Sequence, residues 1–268
     1  MSSWCDGPFL GFDTETTGVD VASDRIVTAA LVHRDAGSTT VRTWLVDPGV
    51  DIPPGTTAIH GVTTEHARAH GRAPADALEE IAAEIAAAQA AGVPLVAYNA
   101  TFDLSLLEHE LARHGLDSLA RRLPGGAPLV LDPLVLDRYV DGVRKGPRKL
   151  VDLCEVYSVP TGELHTAEID VVATLDLLAR MAARHPRLAA ATPAQLHDTQ
   201  VAAHRDWARS YDRWRARRGL PWPGADHGWP LPARPGSGTR LARRLSWYAN
   251  RLLGLPRRRA RRRAQREE

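Results

Sequence analysis

Phe9-Leu10-Gly11-Phe12-Asp13-Thr14-Glu15-Thr16-Thr17-Gly18 is the stretch that decides the fold. An apolar run leads directly into two carboxylates two residues apart, Asp13 and Glu15. If the run is a strand, side chains at i and i+2 leave the same face. Two acids on one face of a strand end repel each other unless something neutralises them. A divalent cation with oxygen ligands does so, and magnesium or manganese suits such donors. An acidic turn closing a strand would give the same spacing, so the pair acquires meaning only alongside residues further down the chain.

Outward from this stretch, Phe9–Thr14, Ile26–His33 and Thr40–Val46 read as three strands, rich in Val, Thr and Leu. Their short connections predict an antiparallel meander. Asp51–Thr64 reads as a loop, with Pro53-Pro54-Gly55 and His60-Gly61 inside it. Pro74–Ala91 carries Leu78, Ile81, Ala82 and Ile85 at helical spacing and ends at Gly92. Val93–Tyr98 then reads as a buried strand, Thr101–His114 as a helix and Leu129–Leu131 as a short strand. Helices are predicted over Pro133–Val140, Lys149–Tyr157 and Ala167–His185. Three strands followed by alternating helix and strand predict an α/β domain with a mixed sheet and helices on its faces.

Two more acids and a histidine fall at informative places. Asp103 lies in Asn99-Ala100-Thr101-Phe102-Asp103, in the first turn of a helix that follows a strand. It reads either as a helix-dipole acid or as a third metal carboxylate beside the first strand. Asp170 falls in the first turns of the last core helix, and His165 lies just before that helix. A helix N-terminus disfavours imidazolium, so His165 is expected neutral and able to take a proton. Alone, it would read as one of eleven ordinary histidines.

Together these motifs resemble the DEDDh exonucleases of the ribonuclease H-like superfamily, the group that contains the epsilon-type proofreading subunits of bacterial DNA polymerase III. The resemblance covers residues 8–185 and rests on Phe-Asp-Thr-Glu-Thr-Thr-Gly, Ile59-His60-Gly61-Val62-Thr63, Asn-Ala-Thr-Phe-Asp and His-x4-Asp. It departs at Tyr98, where many relatives carry histidine. The resemblance implies a ribonuclease H-like five-stranded sheet, three antiparallel strands then parallel ones. It implies two divalent cations, Mg2+ or Mn2+, held by Asp13, Glu15, Asp103 and Asp170, with His165 as general base. It also implies that Thr16, Thr17 and Gly18 approach the terminal nucleotide through their backbone, and that Ile59, His60 and Phe102 line its sugar and base. Phe102 reads almost equally well as a core aromatic. The implied reaction is 3′→5′ removal of 5′-mononucleotides, from single-stranded DNA in proofreading or repair. The same chemistry on RNA, as in RNase T-like relatives, stays open because discrimination turns on 2′-hydroxyl contacts. A DNA polymerase subunit is the implied protein partner. A non-catalytic module of a replication complex would need a damaged acid or histidine, and none is damaged.

Composition bounds the remainder. Cys5 and Cys154 make neither a disulfide framework nor a zinc motif, which favours a reducing cytoplasm. The start lacks a secretory leader pattern, and no apolar run suits a membrane span. The net charge of +2 conceals an asymmetry. Residues 1–190 hold 16 basic and 26 acidic side chains, whereas residues 191–268 hold 18 and 6. A basic extension on an acidic body suggests a polyanion, most simply nucleic acid. We therefore expect an exonuclease domain over 1–190 and a helix over 191–218, carrying Trp207, Tyr211 and Trp214, docked on it. That aromatic stripe could instead stack on bases beside Arg205, Arg209 and Arg213. A linker or extended surface segment with five Gly and five Pro over 219–238, and an amphipathic helix with an Arg-rich disordered tail over 239–268, complete the chain. The tail reads as a nucleic-acid anchor, a contact to an anionic membrane surface, or a solvated end.

Overall fold

The computed structural model describes residues 4–123, 125–161, 166–221 and 224–232. The helix expected within 239–268 and the Arg-rich tail lie outside the described residues, as does His165.

After a turn of 3-10 helix at Trp4–Asp6, β1 (Phe9–Thr16), β2 (Ile26–Asp35) and β3 (Ser38–Leu45) form the antiparallel meander. Three helices come next, α1 (Pro54–His60), α2 (Thr64–His70) and α3 (Pro74–Ala90). Then come β4 (Leu95–Val96), α4 (Ala100–Arg113), α5 (Leu119–Arg122), β5 (Val130–Leu131) and α6 (Pro133–Val140). The order ends with α7 (Leu150–Val156), α8 (Ala167–Arg184), α9 (Pro186–Ala189) and α10 (Pro193–Arg217). The sheet runs β3-β2-β1-β4-β5, with β4 parallel to β1 and β5 parallel to β4. This is the mixed five-stranded sheet that the family resemblance implies.

Period-two alternation assigns each face of β1 and β2 to a different core. Leu10, Phe12, Ala29 and Leu31 join one buried cluster with Leu78, Ile81 and Ile85 of α3 and Leu104 and Leu107 of α4. Phe9, Ala30 and Val32 join the other with Leu153 of α7 and Val171, Leu175 and Leu178 of α8. Gly11 brings α8 close to the sheet, since a Cβ there would meet Val171 Cγ1 at 2.3 Å. The odd positions of β1 therefore face α8, and Asp13 and Glu15 are odd positions.

Two expectations change. The stretch Asp51–Thr64 is not all loop, because Pro54 starts α1 at a position where its missing N–H costs nothing, and Gly61 ends it with φ of 77°. The strand expected over Val93–Tyr98 pairs only at Leu95–Val96.

The chain beyond residue 190 packs on the sheet. Thr192 and Gln195 form a reciprocal cap at the start of α10. From α10, Gln200 donates to the carbonyl of Val130 at 3.1 Å and accepts from the N–H of Asp132 at 2.7 Å. His197 Nδ1 accepts from the N–H of Val130 at 3.1 Å. The open side of the edge strand β5 is thus covered by side chains of a helix. Within the Pro- and Gly-rich stretch, residues 224–232 fold back rather than span outward. Trp229 is buried in the α3/α4 core, and the Ala225 N–H donates to Asp212 Oδ1 at 2.9 Å. No described helix is long and apolar enough to cross a membrane.

Candidate active site

The site forms where β1 ends. Asp13 and Glu15 leave the α8 face of β1, and Asp170 leaves the first turn of α8 toward them. Each offers a carboxylate oxygen, and these three oxygens lie within 4.8 Å of one another. Glu15 and Asp170 are buried, and Asp13 is half-buried. Three carboxylates at this spacing in a poorly hydrated place repel strongly if all are ionised. Hard oxygen donors in this number are what a magnesium or manganese ion requires, so the residues present fit such an ion.

Asp103 stands beside this group and not within it. It reaches β1 from α4, on the opposite face, where its Oδ1 accepts from the Thr14 N–H at 3.1 Å and the Thr14 hydroxyl at 2.7 Å. The family resemblance gives Asp103 a supporting place, at the second of two ions. In the structure Asp103 holds Thr14, the residue that separates Asp13 from Glu15. A bulge between Glu15 and Thr16 in the pairing with β2 ends the regular ladder here.

Beyond the bulge, Thr16, Thr17 and Gly18 are buried and braced by Asp24. The Asp24 carboxylate accepts from the Asp20 N–H at 2.7 Å and from the Thr17 hydroxyl at 3.2 Å. A Cβ on Gly18 would lie 2.4 Å from Asp24 Oδ2. The family resemblance calls for glycine here so that a nucleotide can come close; in this structure the near neighbour is the Asp24 carboxylate. Ile59 and His60 end α1, both half-buried, and the Val62 N–H donates to His60 Nδ1 at 3.2 Å, which fixes that ring. Phe102 packs partly buried against the α3/α4 core.

Asp132 is a residue that the motifs do not reveal. Fully buried at the start of α6, it accepts from the Leu134 N–H at 2.9 Å and so caps its own helix. It also accepts from the N–H groups of Asn99 at 3.1 Å and Ala100 at 3.0 Å. Asn99 has φ of 60° and gives α4 no cap of its own. Asp132 thereby fixes the start of the helix that carries Phe102 and Asp103. Burial raises its pKa, opposed by these three N–H groups. Burial, followed by the charge of Asp132, pushes the Tyr98 phenol well above its ordinary range. Tyr98 is therefore a donor, and its hydroxyl bonds the carbonyl of Arg148 at 2.7 Å. Asp132-Pro133 is a helix-start pattern in sequence, but its second pair of partners is over thirty residues away.

Residues 10–178 match the family model described as exonuclease, RNase_T. Over 183 residues, 65% of this chain, the sequence is 34% identical to the DNA polymerase III subunit epsilon-like protein of Rhodobacter capsulatus, of which the match covers 23%. Over 180 residues it is 28% identical to the DNA polymerase III subunit epsilon of Treponema pallidum, covering 67% of this chain and 78% of that one. The fold is similar to the crystal structure of E. coli exonuclease I in complex with a dT13 oligonucleotide, with a TM-score of 0.56 and 24% identity. That likeness covers 67% of this chain and 42% of exonuclease I. The chain thus spans less than half of exonuclease I and about a quarter of the Rhodobacter protein.

Proposed function

The chain belongs to the exonuclease family, and on that premise we propose that it is a metal-dependent 3′→5′ exonuclease releasing 5′-mononucleotides from single-stranded DNA in proofreading or repair. The observation that carries this reading is the convergence of Asp13, Glu15 and Asp170 within 4.8 Å on one face of β1. These three would hold a pair of divalent cations, with Asp103 supporting the second from across the strand. Such ions, when bound, favour ionisation of a water and offset charge on the phosphodiester.

The remaining work belongs to the chain. Asp103 fixes Thr14, and through it the spacing of Asp13 and Glu15. We assign to His165 the proton released by the attacking water, because His165 lies five residues before Asp170 in sequence. The backbone of Thr16–Gly18, held by Asp24, would receive the terminal nucleotide, with Ile59, His60 and Phe102 against its sugar and base. The relatives named DNA polymerase III epsilon support a polymerase as partner for this chain, testable by co-elution with a polymerase catalytic subunit.

The test is release of mononucleotides from labelled single-stranded DNA, duplex DNA with a mismatched 3′ end, and matched RNA, with and without EDTA. We expect activity in magnesium or manganese, none in EDTA, and loss in Asp13→Ala with unchanged circular dichroism. Full activity of Asp13→Ala would reject the assignment. Preference for the RNA strand would move the substrate to RNA while keeping the chemistry.

A further inference from the structure

Between α10 and the connection from α6 to α7 lies a cleft of about 720 Å³, lined by Arg138, Arg144, Arg148 and Lys149 and walled by Trp207. Among the lining residues the one acid is Asp206. Beneath the cleft the buried Asp137 bonds both Arg144, at 2.9 Å, and Arg148. Asp137 and Asp141, the latter 4.0 Å from Arg144 Nε, offset Arg144 and Arg148, which leaves Arg138 and Lys149 to face Asp206 and the cleft with a surplus of positive charge. That surplus is local, because residues 1–190 as a whole are acidic.

The wall is ordered by stacking. The Arg138 guanidinium lies 3.9 Å from the centre of the Trp207 ring. Trp207 and Tyr211 stack at 5.4 Å and 15°, and Tyr211 and Trp214 at 5.6 Å and 18°. Arg218 lies 4.3 Å over Trp214. A guanidinium stacked on a ring is held flat yet keeps its in-plane N–H donors, the geometry that suits phosphate oxygens. The aromatic column is not the core stripe of α10, which is Leu196, Gln200, His204 and Ala208.

Position links this cleft to the carboxylates. The Tyr98 hydroxyl holds the Arg148 carbonyl, and Tyr98 lies five residues before Asp103 on the turn leaving β4. The carboxylates stand where β1 ends, and the cleft is lined by Arg138 and Tyr139 of α6, the helix that follows β5.

We propose that this cleft holds the phosphate backbone of single-stranded nucleic acid upstream of the 3′ end engaged at the carboxylates. The inference rests on the exonuclease reading and extends it to where the rest of the strand lies. Polar and charged contacts to phosphate carry affinity and salt dependence without reading sequence.

The test measures fluorescence anisotropy of labelled thymidine oligomers of 4 and 20 nucleotides with the full chain in EDTA, so that binding is read without turnover. We expect tighter binding of the 20-mer. Lys149→Ala should weaken the 20-mer several-fold and reduce the slope of log affinity against log salt by about one, with the 4-mer unchanged. Lys149→Arg should restore both. Arg138→Ala should act in the same direction, and Lys149→Ala keeps the test valid if Arg138→Ala does not fold. Equal effects of Lys149→Ala on both lengths, or none, would overturn the proposal. Binding of polyglutamate but not the 20-mer through Lys149 would overturn it in favour of an acidic protein. A chain that binds the 20-mer through the cleft but never cleaves refutes the nuclease reading alone, whereas one that cleaves but binds both lengths alike refutes the cleft alone.

Discussion

Asp170 is held against two other carboxylates, and that crowding has a cost that thermal unfolding can read. In metal-free protein Asp170→Asn should raise the unfolding midpoint, since it removes one of three like charges within 4.8 Å. The same substitution should abolish the rise in midpoint that manganese gives the unsubstituted chain. Unchanged stabilisation by manganese in Asp170→Asn would detach that residue from the ion. Gly11 sets the neighbouring distance. A methyl group there meets Val171 at 2.3 Å, so Gly11→Ala should cost about 1–3 kcal/mol by urea unfolding and lower activity by displacing α8. Cys154 differs from a reactive thiol, since burial pushes its pKa up to about 11. At pH 8 mass spectrometry should find it alkylated only after unfolding.

At the scale of elements, Asp132 joins the starts of α4 and α6 to one carboxylate. Asp132→Ala should cost about 2–4 kcal/mol, because it strips caps from two helices and leaves buried N–H groups without an acceptor. A loss below about 0.5 kcal/mol would show that the caps carry little. A second joint titrates. Glu80 on α3 receives Arg72 at 2.6 and 2.8 Å and the Trp44 indole of β3 at 3.1 Å. Arg72 first, then Trp44, holds its pKa down to about 2 from the ordinary 4.5. A lowered carboxylate pKa gives stability that is complete above 4.5 and is lost as pH falls toward about 2. The gap in unfolding midpoint between the unsubstituted chain and Glu80→Gln should therefore close across that window. Elements such as these differ in how far sequence reveals them. The helices α3, α4 and α8 can be read from apolar spacing, because each buries one stripe, and β1 to β3 from their Val, Thr and Leu content and short connections. Helix α1 cannot, because Pro53-Pro54-Gly55 has the composition of a turn. The role of Asp132 is hidden because its acceptor geometry exists only once β4 and β5 are paired. Asp103 is legible as part of the site, but its side of β1 depends on which face α4 takes.

For the whole molecule, the boundary near residue 190 marks a change of charge, not the end of the packed body. A chain ended at residue 190 loses Gln200 and His197 from β5 and Trp229 from the core. It should unfold at a markedly lower temperature than a chain ended at residue 232, as differential scanning calorimetry would record. Equal midpoints would make α10 an ornament on the catalytic body. The charge asymmetry is plain in the sequence, whereas the manner in which α10 docks is not, because it proceeds through Gln200 and His197 as much as through apolar side chains.

The closure of β5 by α10 has a directional outcome. Backbone groups on that flank are already engaged, so an extended peptide arriving there finds nothing to pair with. The opposite flank, β3, presents six exposed residues in succession from Ser38 to Thr43, with Arg42 among them. Strand addition from a neighbour, whether wanted or pathological, has one berth on this sheet, and a cation is posted in it.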